Sequence, residues 1–260
     1  MYRHLLTRRW LALALAVLVL AVLCVRLGLW QFQRLDERRA SNAIVEHNLA
    51  AEPVGVTRLT AVDGSVPAAE QWRPVTATGR YDTAELLLVR YQTNAGRSGV
   101  DVVVPLVTED GTAVLVDRGF LESPGRTPDA VEVPAAPAGE VTVTGWLRAD
   151  SAAGFSATQP SDGTVRAVSA TALAGSSTHP LLAGWVQARD ESPAPGTPLS
   201  GPELPETDSG PHFFYGLQWF FFALLALVGY LWFAYDEAHP RSGRTRAGGR
   251  ERRIPVPADP

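Results

Sequence analysis

The sequence contains one cysteine, one methionine and no lysine. The scarcity of cysteine and of methionine excludes several kinds of metal and redox site. Its one cysteine, Cys24, excludes an internal disulfide, a CxxC redox pair, a thiolate zinc site and covalently attached c-type haem. Its one methionine is Met1, so the Met-rich and Cys-rich sites that soft copper prefers are also excluded. Because lysine is absent, all 23 basic residues are arginines, and the net charge of −4 argues against a general nucleic-acid-binding protein.

Only 19% of the 260 residues are charged, and two long apolar runs contain almost none of them. The first run covers residues 10–30 and is interrupted only by Arg26, whose long side chain can reach the lipid headgroups. The second covers residues 212–235 and has aromatic residues at both edges, as interfacial belts do. As helices, both runs are long enough for a hydrocarbon core of roughly 30 Å, so the sequence predicts two transmembrane helices.

A cleavable signal peptide and a lipoprotein signal are the alternatives for the first run. Arginines precede the apolar stretch, as in a signal peptide, but no small-x-small cleavage site follows it. Acylation of Cys24 would need a small residue before it, and Leu23 stands there. We therefore expect an uncleaved anchor, in which Cys24 faces lipid or packs against a neighbouring helix.

The placement of arginine predicts the orientation in the membrane. Residues 1–9 contain three arginines and the tail, residues 236–260, contains six, whereas residues 31–211 carry a net charge of −10. Since arginine near the end of a span marks the cytoplasmic side, both termini are predicted to be cytoplasmic and residues 31–211 extracytoplasmic. A span that starts at residue 10 leaves no room for a mitochondrial presequence, so we expect a bacterial plasma membrane. The Pro-, Gly- and Arg-rich tail is predicted to be disordered.

The segment between the spans is predicted to form one β-rich domain. The first helix continues beyond the membrane to about residue 49, and Pro53 is a plausible stop. Residues 109–111 (EDG) lie between two apolar runs and predict a hairpin turn. A short helix is expected within residues 169–184. Short alternating or β-branched segments predict seven strands, and hence an antiparallel barrel or sandwich in an α+β domain, at residues 72–79, 86–91, 100–107, 112–117, 141–147, 164–168 and 185–188.

The sequence does not predict an enzyme. The stretch 176–179 (SSTH) contains the residue types of a serine nucleophile and its base, but it lacks the GxSxG context and is typical of a polar turn. The five histidines are scattered, so they predict no metal cluster. The GRSG stretch at residues 96–99 precedes a strand rather than a helix, which is not the arrangement of a phosphate-binding loop. Arg118 is predicted to form a buried salt bridge at a strand end.

Two sets of side chains are expected near the outer membrane boundary. On one helix Trp30 and Arg34 share a face with Arg26 and Arg38, and on the other His212, Tyr215 and Trp219 share a face. Imidazole, flat aromatic rings and guanidinium groups together suit a large flat ligand with carboxylates, such as haem. The same residue types are also the usual interfacial anchors of membrane helices. From the residues alone both interpretations stay open.

Five segments, in order along the chain, resemble the surfeit locus protein 1 (Shy1) family. The end of the first span reads GLWQFQR, which is similar to the GxWQxxR signature, and the last helix opens with PHFFYGLQWF, similar to the family's histidine-containing opening. The other three segments lie at residues 72–81 (WRPV followed by GRY), 99–106 (GV through PL) and 114–120 (VLVDRGF). Pro211 stands where the family usually has Asn, and Gly216 where Ala is common.

That resemblance implies an assembly factor for haem-copper cytochrome c oxidase, acting when haem a enters the catalytic subunit. The implied partners are this subunit, the haem a synthesis machinery and the lipid membrane. The histidine that matches His212 implies a ligand to haem iron. A partner of the oxidase that carries no haem is the alternative, and a membrane oxidoreductase is a further one. The candidate haem-binding residues are His212, Tyr215, Trp219, Trp30, Gln31 and Arg34.

Overall fold

The computed structural model describes residues 6–123 and 131–239, which divide into two compact units. A helical unit contains the chain up to Asp36 and from Gly210 onward, and a β unit contains Glu37–Ser209. Residues 1–5 of the predicted N-terminal segment and residues 240–260 of the predicted disordered tail lie outside the described residues. The described helices are α1 (Arg8–Leu49), α2 (Phe155–Thr158), α3 (Ala170–Leu173) and α4 (His212–Ala238), with three short 3-10 helices at Val56–Arg58, Ala68–Glu70 and Thr83–Glu85.

Both apolar runs form helices that are long and apolar enough to cross a membrane. The most apolar stretch of α1 has only 17% of its residues buried, and that of α4 only 11%. A core helix of a water-soluble protein would bury its apolar face against protein, because exposing that much apolar surface to water is unfavourable. The exposed apolar surface of α1 and α4 is therefore consistent with a membrane protein.

Within the helical unit, small residues on one helix face aromatic rings on the other. A Cβ at Gly28 of α1 would lie 2.8 Å from Phe220 of α4, and one at Gly216 of α4 would lie 3.1 Å from Phe32 of α1. The rings of Phe32 and Phe220 stack with their centroids 6.0 Å apart. Cys24 is buried with two alanines in the same unit, which confirms the packing role expected for it. Small residues at these positions let the two helices approach closely.

The second part of α1 belongs to the β unit, and the predicted continuation of the helix to Leu49 is confirmed. The buried side chain of Asn48 donates to the carbonyl oxygens of Ala69 and Gln71 at 2.7 and 2.8 Å. One turn and a half earlier, Asn42 donates to the carbonyl oxygen of Thr207 at 2.7 Å. These bonds attach the helix to two other segments of the unit. The helix ends at Leu49, four residues before Pro53, which could not continue it.

The β unit contains one mixed sheet whose described strands follow the order β1-β2-β6-β8-β5-β4-β3-β7, with a further pairing of β2 with β4. The expected sheet-rich domain is thus confirmed, whereas a barrel stays a prediction. The strands are β1 (Val54–Gly55), β2 (Pro74–Tyr81), β3 (Leu87–Asn94), β4 (Arg97–Val107), β5 (Ala113–Glu122), β6 (Val141–Arg148), β7 (Thr164–Val165) and β8 (Leu181–Ser192).

The prediction of an antiparallel sheet is right for five of the described pairings and wrong for three. β1 pairs with β2, β3 with β7 and β5 with β8 in parallel. Between β5 and β8 the chain passes through β6, α2, β7 and α3. A crossover of this length allows the chain to return in the same direction, which a hairpin cannot do. The alternation of apolar residues in each strand does not distinguish parallel from antiparallel pairing.

The middle of the sheet is buried on both faces. In β5, Val114 and Val116 belong to one hydrophobic cluster, and Ala113 and Leu115 belong to another. Successive side chains of a strand point to opposite faces, so the two clusters lie on opposite sides of the sheet. This double burial explains why residues 112–117 show a nearly continuous apolar run rather than strict alternation.

The predicted turn between β4 and β5 is confirmed. Thr108 donates its backbone N–H to the carbonyl oxygen of Thr112 at 2.8 Å, and Gly111 has a φ of +82°. β8, by contrast, is three times as long as the four residues predicted for it. Gly184, with a φ of +75°, lies within β8, and a Cβ there would lie only 2.4 Å from the carbonyl oxygen of Arg148. The strand therefore needs a glycine at this position, and that glycine interrupts the pattern of residues that predicts a strand. The short strand β1 was not predicted, since two residues carry no period.

Candidate functional site

His212 is the first residue of α4, and the residues before it shape its surroundings. Pro211 is the N-cap residue, with a φ of −82°, and its carbonyl oxygen accepts from the backbone N–H of Tyr215 at 3.2 Å. Proline suits the start of a helix because its φ is already close to the helical value. Pro211 therefore marks the start of α4. The His212 side chain is half-buried.

The imidazole of His212 is bound by Gln31 of α1. Its Nδ1 lies 2.9 Å from Oε1 of Gln31, and both residues belong to the helical unit. An amide oxygen has no hydrogen, so Nδ1 is the donor and Nε2 of the neutral ring keeps a lone pair. A Cβ at Gly210 would lie 3.7 Å from Nε2, so backbone without a side chain lies beside that nitrogen. This arrangement can offer one nitrogen atom, Nε2 of His212, as a ligand to a metal ion.

The other four candidate residues lie elsewhere in the helical unit. Trp30 and Arg34 are exposed and one turn apart on α1, with the Arg34 guanidinium carbon 5.8 Å from the centre of the Trp30 ring. Trp219 packs on the cluster that contains Cys24, whereas half of the surface of Tyr215 is exposed. The structure thus pairs His212 with Gln31 and Trp30 with Arg34. That all six residues meet around one ligand stays a prediction.

A second polar site lies in the β unit, and sequence reasoning missed it. A pocket of about 360 Å³ is lined by Asp101, Asp117 and Arg148, among others. The Arg148 guanidinium carbon lies 3.8 Å from the centre of the Trp72 ring, and Nη1 donates to Gln187 Oε1 at 2.7 Å. Asp101, Asp117 and Arg148 come from three different strands, so no local motif could indicate the site.

Two of the carboxyl groups that line this pocket, those of Asp101 and Asp117, are difficult to ionise. Burial raises the pKa of Asp101 to about 6. Burial also raises the pKa of Asp117 well above its ordinary value, and the nearby charge of Asp101 adds to that effect. Burial lowers the pKa of Arg148, against the attraction of Asp117. Among the described residues no group of three or more His, Cys, Asp or Glu side chains is placed to hold a metal ion.

Comparison with known proteins decides the family. A model of the SURF1 family matches residues 18–224, which include the whole β unit and part of the helical unit. The chain belongs to the SURF1 family. SURF1-like proteins of Mycobacterium bovis and of two strains of Mycobacterium tuberculosis are each 34% identical to it over 253 residues, which cover 92% of this chain and 88% of theirs. The predicted resemblance to the surfeit locus protein 1 family is confirmed.

The SURF1 family is known generally for the assembly of cytochrome oxidase.

The polar stretch at residues 176–179 binds two nearby carboxylates. Ser177 donates from its hydroxyl to a Glu85 carboxylate oxygen at 2.7 Å, while His179 Nε2 lies 3.1 Å from Asp82 Oδ2. The two side chains thus each contact a carboxylate at or next to the Thr83–Glu85 turn, and the His179 backbone N–H donates to the Ser177 hydroxyl oxygen at 3.2 Å, as expected for a polar turn.

Each of the SURF1-like segments lies in a defined element of the structure. GLWQFQR is a part of α1 and PHFFYGLQWF opens α4, so the two segments at the apolar helices contain the pair formed by Gln31 and His212. The other three segments contribute to the sheet, chiefly to β2, β4 and β5. Of the candidate site residues, the direct pairing of Gln31 with His212 was not foreseen, because 181 positions separate them.

Proposed function

We propose that this SURF1-family protein assists the delivery or insertion of haem a into the catalytic subunit of cytochrome c oxidase. The observation that carries the proposal is the His212 imidazole at the start of an apolar helix, bound through Nδ1 to Gln31 at 2.9 Å. Metal-binding histidines are commonly oriented by a hydrogen bond from the other ring nitrogen. The family's role in oxidase assembly gives this geometry its context.

The proposal includes a membrane arrangement. α1 and α4 cross a bacterial plasma membrane at residues 10–30 and 212–235, both termini are cytoplasmic, and residues 31–211 lie outside. The exposed apolar surfaces of both helices and the excess of arginine at both ends of the chain support it. In this arrangement His212 lies at the outer boundary of the lipid.

The candidate residues of the helical unit have the chemistry to hold haem a as a cargo. Nε2 of His212 would bind the iron, and the exposed rings of Trp30 and Tyr215 offer flat apolar surface for a porphyrin. Trp219 supports the helix pair from the Cys24 cluster. The guanidinium of Arg34 suits a propionate group because its planar donors match a carboxylate. Haem a supplies the redox chemistry of the oxidase, so the protein has only to hold and release it.

Absorption spectra of the full chain test this function. The protein is purified in detergent after co-expression with haem a synthesis, beside His212→Ala and His239→Ala. His239 follows the last residue of α4 and bonds to Tyr235, so it is a matched histidine at the opposite end of the same helix. We expect stoichiometric haem a in the unmodified protein and in His239→Ala, and its loss in His212→Ala. Absence of haem from all three proteins would contradict haem delivery.

An oxidase partner that carries no haem is the alternative. Co-purification of the catalytic subunit with each protein distinguishes the two roles. If His212→Ala loses haem and also fails to support oxidase assembly, while it still binds the subunit, the haem-delivery role is supported. If no haem is found and the subunit co-purifies with every variant, the protein acts by contact alone.

A further inference from the structure

We propose that Gln31 is a positioning residue that fixes the His212 imidazole in the tautomer with hydrogen on Nδ1. The inference rests on the proposed function, because it names how Nε2 is kept available for haem iron. It depends on the 2.9 Å contact between Nδ1 of His212 and Oε1 of Gln31. A neutral imidazole carries one N–H, so donation from Nδ1 leaves the Nε2 lone pair to bind a metal.

The backbone that presents Gln31 is held by the packing next to it. Phe32 follows Gln31 on α1, and its ring lies 6.1 Å from the Phe213 ring and 6.0 Å from the Phe220 ring, measured between centroids. Gly216 lies against the same ring, where a Cβ would come within 3.1 Å. These aromatic contacts fix the position of α1 beside the first turn of α4. They thereby determine which α1 side chain meets His212.

No other acceptor for Nδ1 comes from the residue before His212. Pro211 has no polar side chain, and the N-terminus of α4 has no side-chain cap. An amide side chain at position 211 could have accepted a hydrogen bond from the ring, but proline has none. Here the orienting oxygen comes instead from Gln31, on the neighbouring helix. The glutamine of the GxWQxxR signature thus has a chemical role, which is to orient the imidazole of His212.

Gly210 lies beside the edge of the ring that carries Nε2. It has a φ of +63°, and a Cβ there would be 3.5 Å from Cδ2 and 3.7 Å from Nε2. A side chain at position 210 would therefore contact this edge of the imidazole. Gln31 on one side and Gly210 on the other therefore orient the imidazole toward a ligand through Nε2.

The tautomer of His212 can be measured without haem. Nitrogen-15 NMR of the histidine-labelled full chain in detergent, at a pH at which the ring is neutral, distinguishes protonated from bare ring nitrogens. Comparison with His212→Ala assigns the signal. We expect hydrogen on Nδ1 of His212 in the unmodified protein and a mixture of tautomers in Gln31→Ala. Hydrogen on Nε2 would mean that the amide NH₂ group faces the ring, and it would overturn the proposal.

Haem-loaded variants give the second measurement. A carboxylate at position 31 accepts more strongly from Nδ1–H and makes the imidazole more basic, so Gln31→Glu should make the haem midpoint potential more negative. Gln31→Ala should weaken haem binding about 10-fold to 100-fold, the usual effect of removing an outer-shell partner. Gln33→Glu, two residues on and exposed, is the matched control and should change neither property.

The outcomes separate the inference from the function on which it rests. If His212→Ala loses haem while both Gln31 variants keep the affinity and potential of the unmodified protein, the positioning role of Gln31 is overturned and the proposed function stands. If the unmodified protein binds no haem, the proposed function fails first. The NMR result then reports only whether Gln31 sets the tautomer.

Discussion

The guanidinium of Arg118 on β5 forms a two-pronged ion pair with Glu191 on β8. Nε lies 2.9 Å from Oε1 and Nη2 lies 3.2 Å from Oε2, with only 1% and 7% of the two side chains exposed. Tyr81 donates its hydroxyl hydrogen to Oε1 of Glu191, and burial raises the pKa of that hydroxyl. The pair therefore leaves no uncompensated charge next to the core, and it confirms the buried salt bridge predicted for Arg118. The predicted position at a strand end is wrong, because β5 continues through Arg118 to Glu122.

Removal of Arg118 should strongly destabilise the β unit. In Arg118→Leu the Glu191 carboxylate remains buried without its partner, so we expect the free energy of unfolding to fall by about 3–5 kcal/mol. The matched control is Arg97→Leu, which breaks the exposed pair of Arg97 with Glu122 and should cost about 1 kcal/mol or less. Denaturant unfolding of the full chain in detergent, followed by the β-sheet circular dichroism signal, measures both. Equal losses in the two variants would contradict a special role for the buried pair.

The carboxyl pocket makes the stability of the β unit depend on pH. The pKa of Asp101 is raised from 3.8 to about 6, so between these pH values the native protein holds more protons than the unfolded chain. The free energy of unfolding therefore falls as pH rises through this interval, and the full contribution is present only below it. Asp117, whose pKa is also raised, extends the effect in the same direction.

Replacement of Asp101 should flatten this pH dependence. We expect Asp101→Asn to reduce the loss of thermal stability between pH 4 and pH 6, because it removes one proton-binding group and the charge that disfavours ionised Asp117. Asp110→Asn is the control. Hydrogen bonds from Thr108 and Thr112 lower the pKa of Asp110, so its contribution to stability changes below its unfolded value of 3.8, and its removal should leave the loss between pH 4 and pH 6 nearly unchanged. Melting temperatures at a series of pH values check the signs, and identical pH profiles for all three proteins would refute the assignment.

A side chain at Gly28 should disturb the packing of the helical unit. A Cβ at this position would meet the Phe220 ring at 2.8 Å, so Gly28→Leu requires the ring to move, at about 1–3 kcal/mol. At Gly229 of α4 no described atom lies within 4 Å of such a Cβ, and Gly229→Leu should leave stability nearly unchanged. Thermal unfolding in detergent compares the two variants. If Gly229→Leu were the more damaging, the packing of Gly28 against Phe220 would be refuted.

Chemical labelling tests the proposed membrane orientation. Cys24 is the only cysteine and is buried, so single cysteines can be introduced in a Cys24→Ala background. Leu6 and Ser65 are both exposed, the first before α1 and the second in a loop of the β unit. A membrane-impermeant maleimide should label Ser65→Cys in intact spheroplasts and label Leu6→Cys only after the membrane is opened. The reverse pattern would place the β unit in the cytoplasm.

Much of the local structure follows from short stretches of sequence. The apolar run at residues 10–30 and the following polar residues predict one long helix, and α1 indeed extends from Arg8 to Leu49. Glu109, Asp110 and Gly111 predict a turn, and the turn between β4 and β5 lies there. Hydropathy and turn preferences depend on a residue and its near neighbours, which is why these features need no knowledge of the tertiary structure.

Other local predictions failed where the backbone departs from a regular period. β8 was predicted to be four residues long because Gly184 interrupts its pattern, although the strand continues through it to twelve residues. The parallel pairing of β5 with β8 was not predicted either, since an apolar strand can pair in both directions. Both errors concern how one segment packs against, or pairs with, another segment that is distant in the sequence.

The sequence by itself determined the two apolar helices, the sheet-rich segment between them, the family and the candidate histidine, because each depends on composition or on short ordered motifs. Only the tertiary structure decided which residues meet. Gln31 contacts His212 across 181 positions, Arg118 contacts Glu191 across 73, and Asp101, Asp117 and Arg148 line one pocket from three strands. Such contacts depend on strand order and helix packing, which satisfy many long-range interactions at once and leave no period in the sequence.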